Sequence, residues 1–446
     1  MQLSQLAMYL GFIVFLVLAV PAGGWPTALI SAYVIAMCGI NKIIFSMPGN
    51  GVIHYGIAPS APTIYLSDIL LLAALLAIWA AGGRLRIGWL LAAFALPCLV
   101  MVLTVWGNTT EQWSGLELYV TALISFGLGR WLSENMTEKG ANVLVSACLI
   151  SCGLQFIASV AQSRGSMFRV SEAAQGWVQD GRMVGLFNHP GELGKAMFLS
   201  FCFLLPLSTS ANVTTRRLAY VALGLGSVAT LLTLSRANSA AIALAVVIWA
   251  IVNRRRNTIS TRVGILAGAA LVAILNLDTI SGLQLRQEVD PEGGYRQQIL
   301  AVGLEQIQSA FWTGTGPNYY TEVVGQYNHL AANGFPLHNS LLYPIAEMGL
   351  ILGLLLLAPV VITLGHAVMR YLNERAIDVQ TAALMAVLPG VVIIAWTGWG
   401  MIAKVSLPLW FLAFGFLASR HGISGLGVHE DRADAAATGR SSASYA

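Results

Sequence analysis

Uncharged apolar blocks of about 18–20 residues, the reach of a helix across a bilayer, dominate this chain. They fall near 5–21, 25–40, 63–81, 87–106, 116–133, 141–161, 193–209, 218–234, 238–252, 262–277, 338–364, 381–398 and 405–419. None alternates every second residue, which excludes an outer-membrane barrel. The pattern predicts an all-α polytopic membrane protein with about 12–13 transmembrane helices. The count turns on Pro21-Ala22-Gly23-Gly24-Trp25-Pro26, which either separates two spans or breaks a single one. Most connections are short. The exceptions are 162–192 and 278–337, on one face; the second is roughly 60 residues, and loops of that length generally carry function. Residues 1–420 are expected to form a single transmembrane domain that includes both loops, followed by a Gly-, Ser- and Ala-rich disordered tail, 421–446.

Composition agrees. Over 446 residues, 57% are hydrophobic and 10% charged, against about 25% charged in a soluble protein. A soluble enzyme, a disordered chain and a disulfide scaffold are all excluded. The five cysteines (Cys38, Cys98, Cys148, Cys152, Cys202) lie within apolar stretches and read as packed thiols. The first apolar stretch lacks a basic flank, so it reads as a retained span rather than a cleaved signal. The net charge of +4 does not indicate nucleic acid, because the basic residues cluster beside the spans. With the faces alternating and Arg84 and Arg86 cytoplasmic, 15 of the 24 basic residues fall inside, as the positive-inside rule requires. The tail is then cytoplasmic and the long loops face outward. Seven of the nine outward cations (Arg164, Arg169, Arg182, Lys195, Arg236, Arg286, Arg296) lie between Arg164 and Arg296. A face that topology would keep poor in cations holds them, which points to an anionic ligand.

Several positions could carry chemistry. In the long loop, Gly293-Gly294-Tyr295-Arg296 opens a helical pattern whose Leu300, Leu304, Ile307 and Phe311 make one apolar stripe. This predicts a short interfacial helix carrying Arg296 toward the membrane, and Gly314-Thr315-Gly316-Pro317-Asn318 ends it as a turn. His338-Asn339-Ser340 sits where the loop re-enters the membrane, a place where an imidazole can accept a proton. A packing role fits the same residue. Glu347 lies in an apolar helix and needs a cationic or hydrogen-bonding partner. Arg236 stands between two apolar blocks with scarcely any loop, and its fixed fork of donors suits phosphate. Asp68 is a structural partner for an arginine. Asn188-His189-Pro190-Gly191 turns into a helix amino terminus, where free amides favour an anion. Glu288, Asp290 and Glu292 alternate and could hold a divalent ion, but loop-surface charge is the simpler account. Nucleophile and zinc motifs are missing.

In order and spacing, these segments resemble the O-antigen ligase/polymerase family of bacterial membrane glycosyltransferases, the WaaL and Wzy type, from about Asp68 to Gly353. The resemblance runs through 185–190, Ser235-Arg236, Arg296, 314–318, His338 to Leu342 and Ala346 to Leu350. It implies a GT-C-like fold in the bacterial inner membrane and an active site facing the periplasm. It further implies transfer of a glycan from undecaprenyl diphosphate to a sugar hydroxyl, inverting, without metal or other cofactor. Arg236 and Arg296 would then hold the diphosphate and His338 would act as base. Asn188, His189, Glu347, Arg182, Arg164, Arg169 and Asn339 are further substrate-binding candidates. Partners would be the lipid-linked oligosaccharide, a glycan or lipid-linked acceptor, the bilayer and, for a polymerase, a chain-length regulator. The 41–63 segment, with Pro48, Gly49, Asn50, Gly51 and Pro59, is longer than the family suggests and could shape acceptor access. An arginine followed eleven positions later by glycine, a polymerase pattern, is missing, so polymerase is only slightly preferred to ligase. A lipid-linked-glycan flippase is a poorer fit because it has no use for a 60-residue loop. A metal-dependent oligosaccharyltransferase would need acidic residues that 41–63 lacks.

Overall fold

A computed structural model describes residues 3–41, 43–47, 56–167, 170–252, 295–374, 377–398 and 401–419. The expected span 262–277, Arg169, Arg286, Glu288, Asp290, Glu292, residues 48–51 and the tail 421–446 lie outside them. The described chain is helical apart from one antiparallel ribbon, β1 (Ile43–Ser46) with β2 (Thr63–Tyr65). Helix is the expected outcome, because a bilayer offers no water to satisfy backbone groups.

The first half holds α1 (Leu3–Ile35), α2 (Leu66–Ala80), α3 (Gly88–Thr104), α4 (Thr110–Asn135), α5 (Glu138–Ser163) and α6 (Glu172–Gln179). It is followed by α7 (Pro190–Leu207), α8 (Val213–Leu231), α9 (Arg236–Val252), α10 (Arg296–Ser309), α11 (Tyr320–Val324) and α12 (His329–Ala332). The last three are α13 (Tyr343–Glu374), α14 (Val379–Thr397) and α15 (Ser406–Leu417). Among the described residues, Leu10–Ile40, Glu138–Ser163, Tyr343–Asn373 and Val379–Thr397 are long and apolar enough to cross a membrane, and shorter apolar helices pack beside them.

The amino-terminal ambiguity resolves as a hairpin. Gly24 adopts φ 75° between Pro21 and Pro26. A straight helix would hold residues 12 and 35 about 35 Å apart, yet Phe12 packs in one cluster with Ile35 and Ile40. The first forty residues therefore form two apposed helices.

The centre of the bundle is α15, buried along its whole length. It lies against α4 with backbones touching: a Cβ at Gly129 would strike the Leu412 carbonyl, and one at Gly415 the Phe126 carbonyl. Small residues at such a crossing permit this approach. Apolar side chains on the outer helices, among them Leu96, Leu354 and Val361, face outward, as lipid contact requires.

Ion pairs hold the two ends. At the end away from the long loops, Arg370 donates to Asp378 at 2.5 Å and Arg130 to Glu134 at 3.0 Å. At the loop end, Lys404 stands 2.8 Å from the Glu117 carboxylate and 4.0 Å from Asp68. Asp68 also accepts the Tyr65 amide at 2.8 Å, closing the start of α2. Its cationic partner is thus a lysine, not the expected arginine.

The start of α13 is broken at Gly349 (φ 72°), and the turn after α10 fills the break. The Leu350 amide donates to the Phe311 carbonyl at 2.9 Å, Thr315 to Ala346 at 3.1 Å and Gly316 to Glu347 at 2.7 Å. A Cβ on Gly314 would meet the Glu347 carbonyl, and one on Gly349 that of Trp312. Two sequence segments 30 residues apart are therefore one structural joint, and it fixes where the loop rejoins the membrane helices.

Candidate active site

Helix amino termini lie in two pairs at the loop end, α7 with α9 and α10 with α13. In α7 the cap is His189, whose Nδ1 accepts the Gly191 amide at 2.9 Å, with Pro190 in the first turn. Arg236 is the first residue of α9, and the residue two before it, Leu234, holds φ 52°. That left-handed conformation costs a non-glycine residue about 1–2 kcal/mol, and it turns the chain sharply out of α8. Asn238, one turn into α9, donates to the Gly191 carbonyl at 3.2 Å. Gly194 leaves no space for a Cβ against the same asparagine, so the starts of α7 and α9 are locked together. Arg182 reaches the Thr233 carbonyl at 3.4 Å and stacks 4.8 Å over Trp177, whose ring meets that of His189 edge-on at 5.0 Å.

The other two termini approach from the long loop. Arg296 is the first residue of α10, exposed, and the helix rests on the stretch that carries His338. A Cβ on Gly303 would lie 2.6 Å from the Leu337 side chain, so glycine lets α10 pack this closely. The buried face of α10 is Ile299, Gly303 and Gln306. Of the expected stripe, Leu304 and Phe311 are 42% and 38% exposed, while Leu300 and Ile307 are partly buried. A Gly303→Val variant should push α10 from Leu337 and lower activity by about tenfold or more, the scale expected when reacting groups are misplaced. Unchanged turnover in a well-folded Gly303→Val protein would show that α10 does not position the site.

His338 lies in the turn that leads into α13. Asn339 accepts the Leu341 and Leu342 amides at 3.0 and 3.1 Å on its Oδ1, which caps the helix. Ser340 is tied to the end of α14 through the Ala395 and Gly398 carbonyls at 2.7 and 2.5 Å. The His338 ring is half-buried, and its Nδ1 lies 2.7 Å from the Pro336 carbonyl. A carbonyl only accepts, so Nδ1 carries the proton and Nε2 keeps a lone pair. Burial lowers the His338 pKa below 6.5; the Pro336 contact opposes this, and Arg296 and Lys195 lower it further. The imidazole is therefore neutral at pH 7 and available as a base.

A pH profile follows from that direction. A base works deprotonated, so kcat/KM should fall only as pH drops through a value below 6.5. A bound anion would stabilise the imidazolium, so the acid limb of kcat should lie at higher pH than that of kcat/KM. A limb at or above 7 in kcat/KM would contradict the environment of His338.

The cations share a second feature. Arg236 and Arg296 each open a helix, at the end where the dipole is positive, which disfavours a cation. An anion bound among these termini would remove that penalty. Among the described residues, no group of three or more His, Cys, Asp or Glu side chains could hold a metal ion.

The remaining candidates are placed as follows. Glu347 is fully buried; its Oε2 accepts from Tyr119 at 2.5 Å and from the Asn318 amide at 2.9 Å. Asn318 in turn exchanges hydrogen bonds with Ala58, Pro59 and Glu111 at 2.9–3.2 Å. Glu347 thus holds the joint between the 314–318 turn and α13, and the 56–65 stretch docks on the same turn. Asn188 is exposed and accepts from Ser171 at 2.8 Å. Arg164 is exposed and ends α5. Arg169 lies outside the described residues. Two residues given no role in the sequence, Asn238 and Gly303, prove to set the geometry. Their signals are their neighbours: Asn238 follows Arg236 within one turn, and Gly303 interrupts an otherwise large-residue helix.

Fold and site describe a multi-pass, all-α membrane protein in which one neutral histidine lies near Arg296 and Lys195. Residues 219–357 match the family model described as O-antigen ligase. This match supports the O-antigen ligase/polymerase family and with it a glycosyltransferase-type activity on lipid-linked glycans. The matched segment includes Arg236, Arg296, the 314–318 turn and His338, and ends within α13; α6 and α7 precede it. No curated protein matches the chain.

Proposed function

We propose that the protein moves a glycan from undecaprenyl diphosphate to a sugar hydroxyl at the periplasmic face of the inner membrane, with inversion and without a metal. The observation that carries this reading is a histidine held with Nε2 unprotonated beside cations at converging helix termini. In the reaction His338 Nε2 takes the acceptor's hydroxyl proton as the oxygen attacks the anomeric carbon. The bond from that carbon to the diphosphate oxygen breaks on the opposite face. The electron pair leaves with undecaprenyl diphosphate, whose growing charge Arg236, Arg296 and the helix amides stabilise. Asn188, His189, Arg182, Arg164 and Arg169 would take up glycan or phosphate oxygens. Glu347 and Asn339 would support the site through the joint and the cap they form.

The test is reconstitution. Purified protein in detergent, given polyprenyl-diphosphate-linked glycan and an acceptor glycan, should release one polyprenyl diphosphate per glycosidic bond formed, with EDTA present. Transport of the lipid-linked glycan in liposomes without any bond formation would overturn the proposal in favour of a flippase.

We favour repeat-unit polymerisation, for which a chain-length regulator would be the partner. The description of the matched family favours ligation as the second reading. A strain lacking the protein separates them: single lipid-linked units accumulate if it polymerises, and long lipid-linked chains if it ligates.

A further inference from the structure

Lys195 is the cation that neither the sequence motifs nor the family match brings into the site. It lies one turn into α7, half-buried, and its ammonium points back toward the start of its own helix: a Cβ at Gly191 would stand 3.7 Å from Nζ. Helix side chains lean toward the amino terminus, so the lysine extends toward the start of α7, where the positive end of the dipole disfavours a cation. Among the described residues its ammonium forms no ion pair within 4.0 Å and no hydrogen bond. Its electrostatic neighbours are Glu192 and His338. Glu192 gives only partial compensation, because its carboxylate also faces the Asn188 amide at the helix cap. A second cation-bearing element, α10, reaches the same imidazole through Arg296. A half-buried ammonium at the positive end of a helix, beside a base and a guanidinium, is arranged for an anion that spans more than one cation.

We propose that Lys195 is a third cationic contact for the diphosphate, supplied by α7 next to the catalytic histidine. The inference rests on the transfer reaction proposed above. The lysine would bind the phosphate oxygens nearest His338, and so place the departing group across the sugar from the base. It is a point charge rather than a fork, so its contribution is to affinity and placement, not to bidentate recognition.

The experiment measures binding of a short-chain polyprenyl diphosphate to the purified full-length protein, with turnover measured in parallel. Lys195→Met should weaken binding by about 30-fold or more, the scale for removing one partner of a desolvated charge contact. Lys195→Arg, which keeps the charge, should bind within about threefold of the unaltered protein. Loss of the cation should also move the acid limb of kcat/KM to higher pH, because the groups facing His338 would then be reduced to Arg296 and the Pro336 carbonyl. A purely structural lysine would produce no such shift. Should Lys195→Met fail to accumulate, Lys195→Gln carries the same expectations with a polar head. Wild-type affinity in Lys195→Met alongside weakened binding in Arg296→Ala overturns this proposal alone. Failure of the unaltered protein to bind the diphosphate overturns the transfer reaction as well.

Discussion

Replacement of His338 by alanine should lower glycosyl transfer by about 10²–10⁴-fold, the usual contribution of a positioned general base. Donor affinity should change little, because the imidazole acts on the acceptor. The geometry leads to this split. Nδ1 is engaged by the Pro336 carbonyl at 2.7 Å, and Asn339 and Ser340 fix the next two residues to α13 and α14. The ring therefore has one free nitrogen, and that nitrogen has one function. His338→Gln is the informative companion: it keeps a polar head of similar reach but cannot accept a proton near neutrality, so it should be as inactive as alanine. A His338→Gln protein retaining a tenth or more of wild-type turnover would show that the histidine orients the acceptor without deprotonating it. Loss of donor binding in both variants would place His338 on the diphosphate instead.

Much of this site was legible because charge inside apolar sequence is expensive and therefore informative. Arg236 between two blocks and Arg296 at the head of a loop helix stood out for that reason, and the structure puts each at a helix start. The joint between Gly314–Asn318 and Ala346–Leu350 was visible only as two separate segments. That they interlock depends on Gly349 breaking α13, and a helical pattern does not reveal a break whose residues remain apolar on both sides. The periodicity of α10 likewise did not show which residue makes its closest contact. Apolar periodicity marks the buried side of a helix in water. At a membrane surface, large apolar residues can face outward, and a glycine marks the closest contact instead. Lys195 was legible as an outward cation but not as part of the site, because nothing local indicates that it lies near His338. Asp68 was recognised as needing a cation, but the pattern could not tell that Lys404, more than 300 residues away, supplies it.

The arginines should be the other positions of large effect. Arg296→Ala and Arg236→Ala are each expected to reduce turnover by about 10²–10³-fold, the range for removing one preorganised donor from a developing charge. Because both act on one leaving group, the double variant should lose less than the product of the single losses, as groups sharing a partner do. Lysine at either position should recover only part of the activity, since an ammonium lacks the planar fork that matches phosphate oxygens. The leaving group itself provides the decisive comparison. With a donor whose glycan is activated as a fluoride, no diphosphate forms, and the gap between Arg296→Ala and the unaltered protein should shrink to a few-fold. His338→Ala should remain as impaired as before, because the acceptor must still be deprotonated. If the arginine gap persists with the fluoride donor, Arg236 and Arg296 stabilise something other than the departing diphosphate, and the assignment of cations to one face of the sugar and base to the other fails.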